Sequence, residues 1–187
     1  GMMYANGRGV PKSDVEAVKW YRLAADHGDA DAQVNLGTMY ANGQGVPKSD
    51  TEAVKWYRMA AYQDDASAQY GLGMMYANGQ GVAQSDTQAI KWFRKAADKD
   101  NAAAMYSLGV MYAYGKGVPQ SDTQAVQWFR KAADKDNADA MFNLGMMYEN
   151  GKGVAQSDTQ AIEWYGKAAR AGHEKAKTLL RKNRLSW

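Results

Sequence analysis

Apolar residues return along this chain at helical spacing, and the whole pattern returns every 36 residues. In the stretch 29–64, Ala32, Leu36, Gly37 and Tyr40 fall on one side of a 3.6-residue helix, which predicts a first helix, A. Asp29 stands where a cap is needed, as do Asp65, Asn101 and Asn137 in later copies. A second helix, B, follows from Ser49. Ala53, Trp56, Tyr57, Ala60 and Ala61 stand at i, i+3, i+4, i+7 and i+8, a stripe that faces a core, with Lys55 and Arg58 off it. Serine with Glu or Gln three residues later is a capping box, and it occurs at Ser13/Glu16, Ser49/Glu52, Ser85/Gln88, Ser121/Gln124 and Ser157/Gln160. Between A and B runs Asn42-Gly43-Gln44-Gly45-Val46-Pro47-Lys48, whose glycines and proline end a helix and turn the chain. Val46, its one apolar residue, is expected to plug back into the core. Helix B ends at Gly28, Asp64, Asp100, Asp136 or Gly172, residues that accept a left-handed backbone. Gly37 and the Ala60-Ala61 pair are expected to bring the two backbones close, with Trp56 and Tyr57 filling the space between them.

The phrase Y-A-N-G-x-G-V stands at Tyr4–Val10, Tyr40–Val46 and Tyr76–Val82, and in altered form at Tyr112–Val118 and Tyr148–Val154. Trp20, Trp56, Trp92, Trp128 and Trp164 keep the same step. A fixed period of this size signals stacked supersecondary units. The fold class is therefore all-α, an α-solenoid of antiparallel helix-turn-helix repeats. A single domain, 1–187, is expected to comprise a shortened first repeat 1–28, full repeats 29–64, 65–100, 101–136 and 137–172, and a capping helix 173–187.

The combined pattern A-x-x-x-L-G-x-x-Y-x-x-G-x-G-V, then S-D-x-x-A-x-x-W-x-x-x-A-A, resembles the Sel-1-like repeat (SLR) family, helical hairpins related to tetratricopeptide repeats. The likeness covers residues 1–172. Ala176 and Leu180 continue its phase, but Arg181 replaces the glycine and no Tyr or Gly-x-Gly follows, so this end reads as a cap. The resemblance implies a right-handed superhelix with helix A on the concave side and helix B on the convex side. It also implies an adaptor or scaffold for protein complexes in bacterial envelopes, signalling or host interaction. A cysteine-rich branch of the family carries one disulfide per repeat, and this chain has no cysteine.

Composition narrows the chemistry. Without cysteine there is no disulfide, cysteine-zinc site or thiol nucleophile. A net charge of +3 is too small a surplus for nucleic-acid binding. The basic residues cluster at the end, with Arg170, Lys175, Lys177, Arg181, Lys182 and Arg184 against Glu174, a solvated cap in keeping with the polar outer face that terminal repeats need. No apolar run is long enough to span a membrane. The chain opens at Gly1 in the middle of a repeat and reads as a fragment, so a signal peptide cannot be judged. The expected setting is bacterial, either exported and periplasmic or cytoplasmic.

Repeated positions hold the hairpins together, and varied ones are open to a ligand. With Leu36 and Tyr40 inward, helix A turns Asp31, Asn35, Thr38 and Asn42 outward. The matching residues are Ser67, Met74 and Asn78, with Gly71; then Ser107, Val110 and Tyr114, with Ala103; then Asp139, Asn143, Met146 and Asn150. Amides can donate to and accept from a peptide backbone, methionines adapt to varied apolar groups, and Tyr114 offers an anchor. These residues are the expected concave partner-binding face for a protein or peptide. Val34, Tyr70, Tyr106 and Phe142 are apolar in every copy and read as packing between neighbouring repeats.

No catalytic, metal or cofactor site is expected. The Gly43–Ser49 loop lacks the G-x-x-x-x-G-K-S/T pattern of a phosphate loop, since Pro47 stands where its second glycine belongs. His27 and His173 lie far apart along the array, and His173 suits a cap. Asp14, Asp50, Asp86, Asp122 and Asp158 recur at B-helix starts, where a negative charge suits the helix dipole. A cell-wall or β-lactam hydrolase, as proposed for the cysteine-rich relatives, is the alternative, but no unique polar cluster breaks the repeat to support it. End-to-end self-association is expected at the first repeat, where Trp20 and Tyr21 are poorly covered. The copies are alike enough to reflect either recent duplication or consensus design.

Overall fold

The structure, a computed structural model, describes residues 1–183, so Arg184 and the end of the expected cap lie outside the described residues. Those residues are all helix and turn, in two compact halves, the first Gly1–Ala96 and the second starting at Ala97. The first half holds α1 Met2–Asn6, α2 Asp14–Asp26, α3 Ala30–Asn42, α4 Asp50–Tyr62, α5 Ala66–Asn78 and α6 Asp86–Ala97, whose final residue reaches the boundary. The second holds α7 Ala102–Tyr114, α8 Asp122–Ala133, α9 Ala138–Asn150, α10 Asp158–Arg170 and α11 Glu174–Lys182. From α3 to α10, A helices have odd numbers and B helices even ones.

The caps explain where helices begin. Asp29, Asp65, Asn101 and Asn137 each accept the amide three residues on, at 2.7–2.9 Å. His173 does the same for α11 through Nδ1, at 3.1 Å from the Ala176 amide. Each B helix is capped by its serine, as in Ser49 Oγ to the Glu52 amide at 3.3 Å. The reciprocal half of the capping box is replaced, however. The serine amide donates to the carbonyl that closes the preceding A helix, Ser49 to Tyr40 and Ser85 to Tyr76, both at 2.9 Å. The backbone thus pins the two helices of a hairpin together, and Glu16 and Glu52 are free to pair with Lys19 and Lys55.

Each hairpin closes around a leucine of helix A, and Leu36, Leu72, Leu108 and Leu144 are all fully buried. The helix-A glycine next to it makes room for a ring as well as for the facing backbone, since a Cβ on Gly37 or Gly73 would also stand 3.3 Å from the carbonyl oxygen of Ala53 or Ala89. A Cβ on Gly73, Gly109 or Gly145 would lie 2.5–2.6 Å from Phe93, Phe129 or Tyr165. Tyr70, Tyr106 and Phe142 lie tilted against these same rings at centroid distances of 5.3–5.8 Å, so they pack inside their own hairpins. Two of them also meet the next repeat, Phe142 stacking on His173 at 4.3 Å and Tyr106 Oη accepting from Asn143 at 3.5 Å.

The tryptophans do a different job from the one expected. Trp56 belongs to a cluster with Ala17, Val18 and Tyr21 of α2 and Leu36 and Met39 of α3. Trp92 joins Ala53, Val54, Leu72 and Met75 in the same way. Each therefore packs back onto the preceding repeat. The connectors reinforce this contact. A Cβ on Gly45 or Gly81 would stand 2.3 Å from the carbonyl oxygen of Asp14 or Asp50, and one on Gly153 2.4 Å from that of Asp122. Val46 and Val82 follow these glycines into the two clusters. On α2, α4 and α8 an arginine reaches the tyrosine of the next A helix, Arg58 to Tyr76 at 3.3 Å and Arg130 to Tyr148 at 2.6 Å, with Arg22 and Tyr40 paired likewise.

One core polar group is poorly served. Gln69 is fully buried, its amide nitrogen reaches Ala61 O and Asp64, but its Oε1 has no partner. Met105 and Met141 occupy this register in the second half, and the Asp64 amide already serves the Ala61 carbonyl at 3.2 Å. Gln69→Met should therefore stabilise the chain by about 1 kcal/mol, the cost of a buried unpaired acceptor. A lower urea midpoint for this variant would show that the glutamine contributes net stability.

Candidate partner-binding face

The outward A-helix face is built by default, because leucine, glycine and the buried Gln or Met register occupy the inner side. The structure divides the expected residues into two sets. Asp31, Asn42, Ser67, Asn78, Tyr114, Asp139, Met146 and Asn150 are exposed, and Tyr114 is 73% accessible. Asn35, Thr38, Met74, Ser107, Val110 and Asn143 are half-buried.

Several of the polar groups have internal partners. Thr38 Oγ1 donates to Val34 O and meets Tyr57 Oη, both at 3.0 Å. Burial pushes the Tyr57 phenol up from its ordinary pKa, and the Thr38 hydrogen bond partly offsets this. Asn35 donates to Asp31 O at 2.8 Å and Asn150 to Met146 O at 2.7 Å, each along its own helix. Asn78 reaches Gln80 at 3.4 Å, and Asn143 reaches Tyr106 Oη at 3.5 Å, joining consecutive A helices. Asp139 lies 3.4 Å from His173 Nε2. With Nδ1 of that histidine accepting from a backbone amide, its proton is assigned to Nε2, facing the carboxylate.

In the first half, Asn35 and Thr38 share a cavity of about 320 Å³ with Met2, Asn6, Lys12 and Gln44. Gly71, beside Met74, lies against the Tyr57 ring that Thr38 bonds, with a Cβ there 3.3 Å from it. In the second half, Tyr114 follows the half-buried Val110 and Ser107 on α7. Glu149, which sequence reasoning passed over, accepts from Tyr165 Oη at 2.7 Å. Burial first, and then this carboxylate, push the Tyr165 phenol far up, so it remains a donor. Glu149 stands where the other copies have alanine, and that departure was the available signal. Among the described residues no group of three or more His, Asp or Glu is placed to hold a metal ion, and no helix is long and apolar enough to cross a membrane.

The Sel1 repeat pattern matches five times, at residues 1–29, 30–65, 66–101, 102–137 and 138–173. The chain belongs to the Sel1 repeat family. Sel1 repeat proteins are generally interaction scaffolds without catalytic activity. A Sel1 repeat protein from Oxalobacter formigenes is 40% identical with a TM-score of 0.91, over 96% of this chain and 73% of that one. The protein c5321, a protective antigen of uropathogenic Escherichia coli, is 39% identical with a TM-score of 0.88 over 94% of this chain. This Sel1 chain spans 38% of the length of c5321. Cysteine-rich protein B of Helicobacter pylori is more distant, at 25% identity and a TM-score of 0.58 over 71% of this chain and 96% of that one. No curated protein gives a significant match to the Sel1 chain.

Proposed function

We propose that this Sel1 chain is a non-catalytic scaffold that holds a partner protein or peptide along the outward face of its A helices. One contrast carries the reading. Caps, connectors, leucines and rings repeat from copy to copy, while the outward positions differ and one of them presents Tyr114, 73% accessible, where the four other copies have Asn. The exposed amides of Asn42 and Asn78 suit an extended backbone, and Met74 and Met146 suit varied apolar side chains. Tyrosines at such positions commonly anchor interfaces. Tyr114→Ala should weaken capture of the partner about tenfold or more, Asn78→Ala should weaken it less, and neither should change the melting temperature. Undiminished capture by both variants would reject this face.

A second contact, between copies of the chain, is proposed at the first repeat. Trp20 is 50% exposed there, whereas Trp56 in the same register is 5% exposed. Tyr21, expected to share that exposure, is instead buried, with Gly1 lying against its ring.

A further inference from the structure

We propose that α4 carries a second binding site, a groove that takes an apolar side chain flanked by carboxylates from an acidic segment of a partner protein. It lies on a B helix of the first half, apart from the A-helix face described above.

The groove is built on one face of α4. Val54, Lys55, Arg58, Met59 and Tyr62 line an open cavity of about 340 Å³, and Val82 of the connector before α6 closes it. Residues at this spacing share one side of a helix. Val54 and Val82 pack in the same core cluster and form the floor. Met59, 40% exposed, and Tyr62, 72% exposed, form an apolar rim. The cavity is near the small end of ligand pockets, with room for one or two side chains and not for a folded surface.

Two departures from the repeat make this rim apolar. In the place of Met59 the other copies have Leu23, Lys95, Lys131 and Lys167, and in the place of Tyr62 they have Asp26, Asp98, Asp134 and Arg170. Of the five B helices, α4 alone has an apolar residue at one place and an aromatic at the other. Internal packing does not require the exchange. Trp56 packs back onto α2, which has aspartate in the place of Tyr62, and is 5% exposed, while Trp92 packs back onto α4 and is 6% exposed. The Tyr62 ring therefore adds little cover. It is nonetheless held in place, meeting the Trp92 ring edge-on at 5.9 Å and 73°. An exposed aromatic fixed in advance loses little freedom when a partner arrives.

The same exchange sets the charge. Asp26 and Asp134 follow Arg22 and Arg130 by four residues, the spacing at which a helix pairs opposite charges. α4 keeps the arginine, Arg58, and has Tyr62 instead of the acid. Arg58 donates to Tyr76 Oη at 3.3 Å, which leaves most of its N–H donors for another acceptor. Lys55 has Glu52 at 3.9 Å, beyond hydrogen-bond reach, with both side chains exposed. Two cations thus border an apolar cavity, and among the described residues no acid lines it. An apolar side chain seated between Met59 and Tyr62 places carboxylates on either side of it within reach of Arg58 and Lys55. The same cations repel a basic segment.

The test is a nuclear magnetic resonance titration of the full chain with three acetylated, amidated pentapeptides. Each has phenylalanine between two pairs of glutamate, glutamine or lysine. The glutamate peptide should bind about tenfold more tightly than the glutamine peptide, shifting amides of α4 and of the connector before α6, and the lysine peptide should not bind. Met59→Lys with Tyr62→Asp restores the residues of the third and fourth copies and should weaken the glutamate peptide about tenfold or more. Both positions are exposed, so the variant should fold, and Tyr62→Asp alone repeats the test should circular dichroism show otherwise. Lys55→Gln with Arg58→Gln should bind the glutamate and glutamine peptides alike. Equal binding of those two peptides by the unmodified chain, no binding at millimolar peptide, or undiminished binding by the Met59→Lys, Tyr62→Asp variant would overturn the site. Light scattering decides the remaining occupant: self-association unchanged by that double substitution keeps the groove for a partner, and its loss would give the groove to a second copy and overturn the assignment.

Discussion

Gly81→Ala should destabilise the chain by about 3 kcal/mol or more, while Gly28→Ala should cost about 1–2 kcal/mol. Both residues have positive φ, +68° at Gly81 and +91° at Gly28, so both substitutions carry the left-handed penalty. The difference is what the new methyl group meets. At Gly28 nothing lies within 4 Å, whereas at Gly81 the Cβ would stand 2.3 Å from Asp50 O and 2.8 Å from the Thr51 amide nitrogen. These are backbone atoms at the start of α4 and cannot rotate away. The connector must lift, taking Val82 out of the cluster it shares with Val54. Urea unfolding of the two variants measures this contrast. Equal losses would mean that the connector is not seated tightly on the preceding repeat.

Trp56→Ala should cost about 3–5 kcal/mol, the usual range for a large buried aromatic, and Trp20→Ala less than about 1 kcal/mol. The two residues are chemically identical and hold the same place in successive repeats. Trp56 is 5% exposed in a cluster that spans two repeats, and Trp20 is 50% exposed. The Trp56 indole nitrogen has no hydrogen-bond partner, so its contribution comes from buried area and from the Lys55 ammonium 5.3 Å from the ring centre, both of which a phenyl ring can take over. Trp56→Phe should consequently retain most of the stability. Thermal unfolding of the three variants decides the matter, and a Trp20→Ala loss as large as that of Trp56→Ala would contradict the packing of each tryptophan onto the preceding repeat.

Much of this arrangement was legible in the residues. Asp29, Ser49 and their counterparts marked the helix starts, and Gly43, Gly45 and Pro47 marked the turns, because capping and left-handed backbone are local matters. The partner of an apolar stripe is not local. Trp56 and Tyr57 are adjacent on helix B, yet one packs backward on α2 and the other against Gly37 of its own hairpin. Period and composition cannot separate those two directions. The capping box was half right for a similar reason, since the serine amide finds a carbonyl from the preceding helix.

The outward face was harder to read. Helix A is apolar or small nearly all round, as in Ala66–Asn78, so its pattern does not say how deep Thr38, Met74 or Val110 sits. Thr38 is half-buried because it reaches Tyr57 Oη, a contact that depends on how α4 lies against α3. Tyr114 was legible because it is a departure from the repeat that also sits at an exposed helix end. Departures were the most informative residues at both levels, with Glu149 among them.

The most direct measurement for a scaffold that binds through its A helices is site-specific photo-crosslinking within one hairpin. A photoreactive residue is placed at Tyr114, exposed on α7, and separately at Gln127, exposed on α8. The account predicts that the partner is captured from position 114 and not from 127. Capture from 127 and none from 114 would place the partner on the B helices and contradict it.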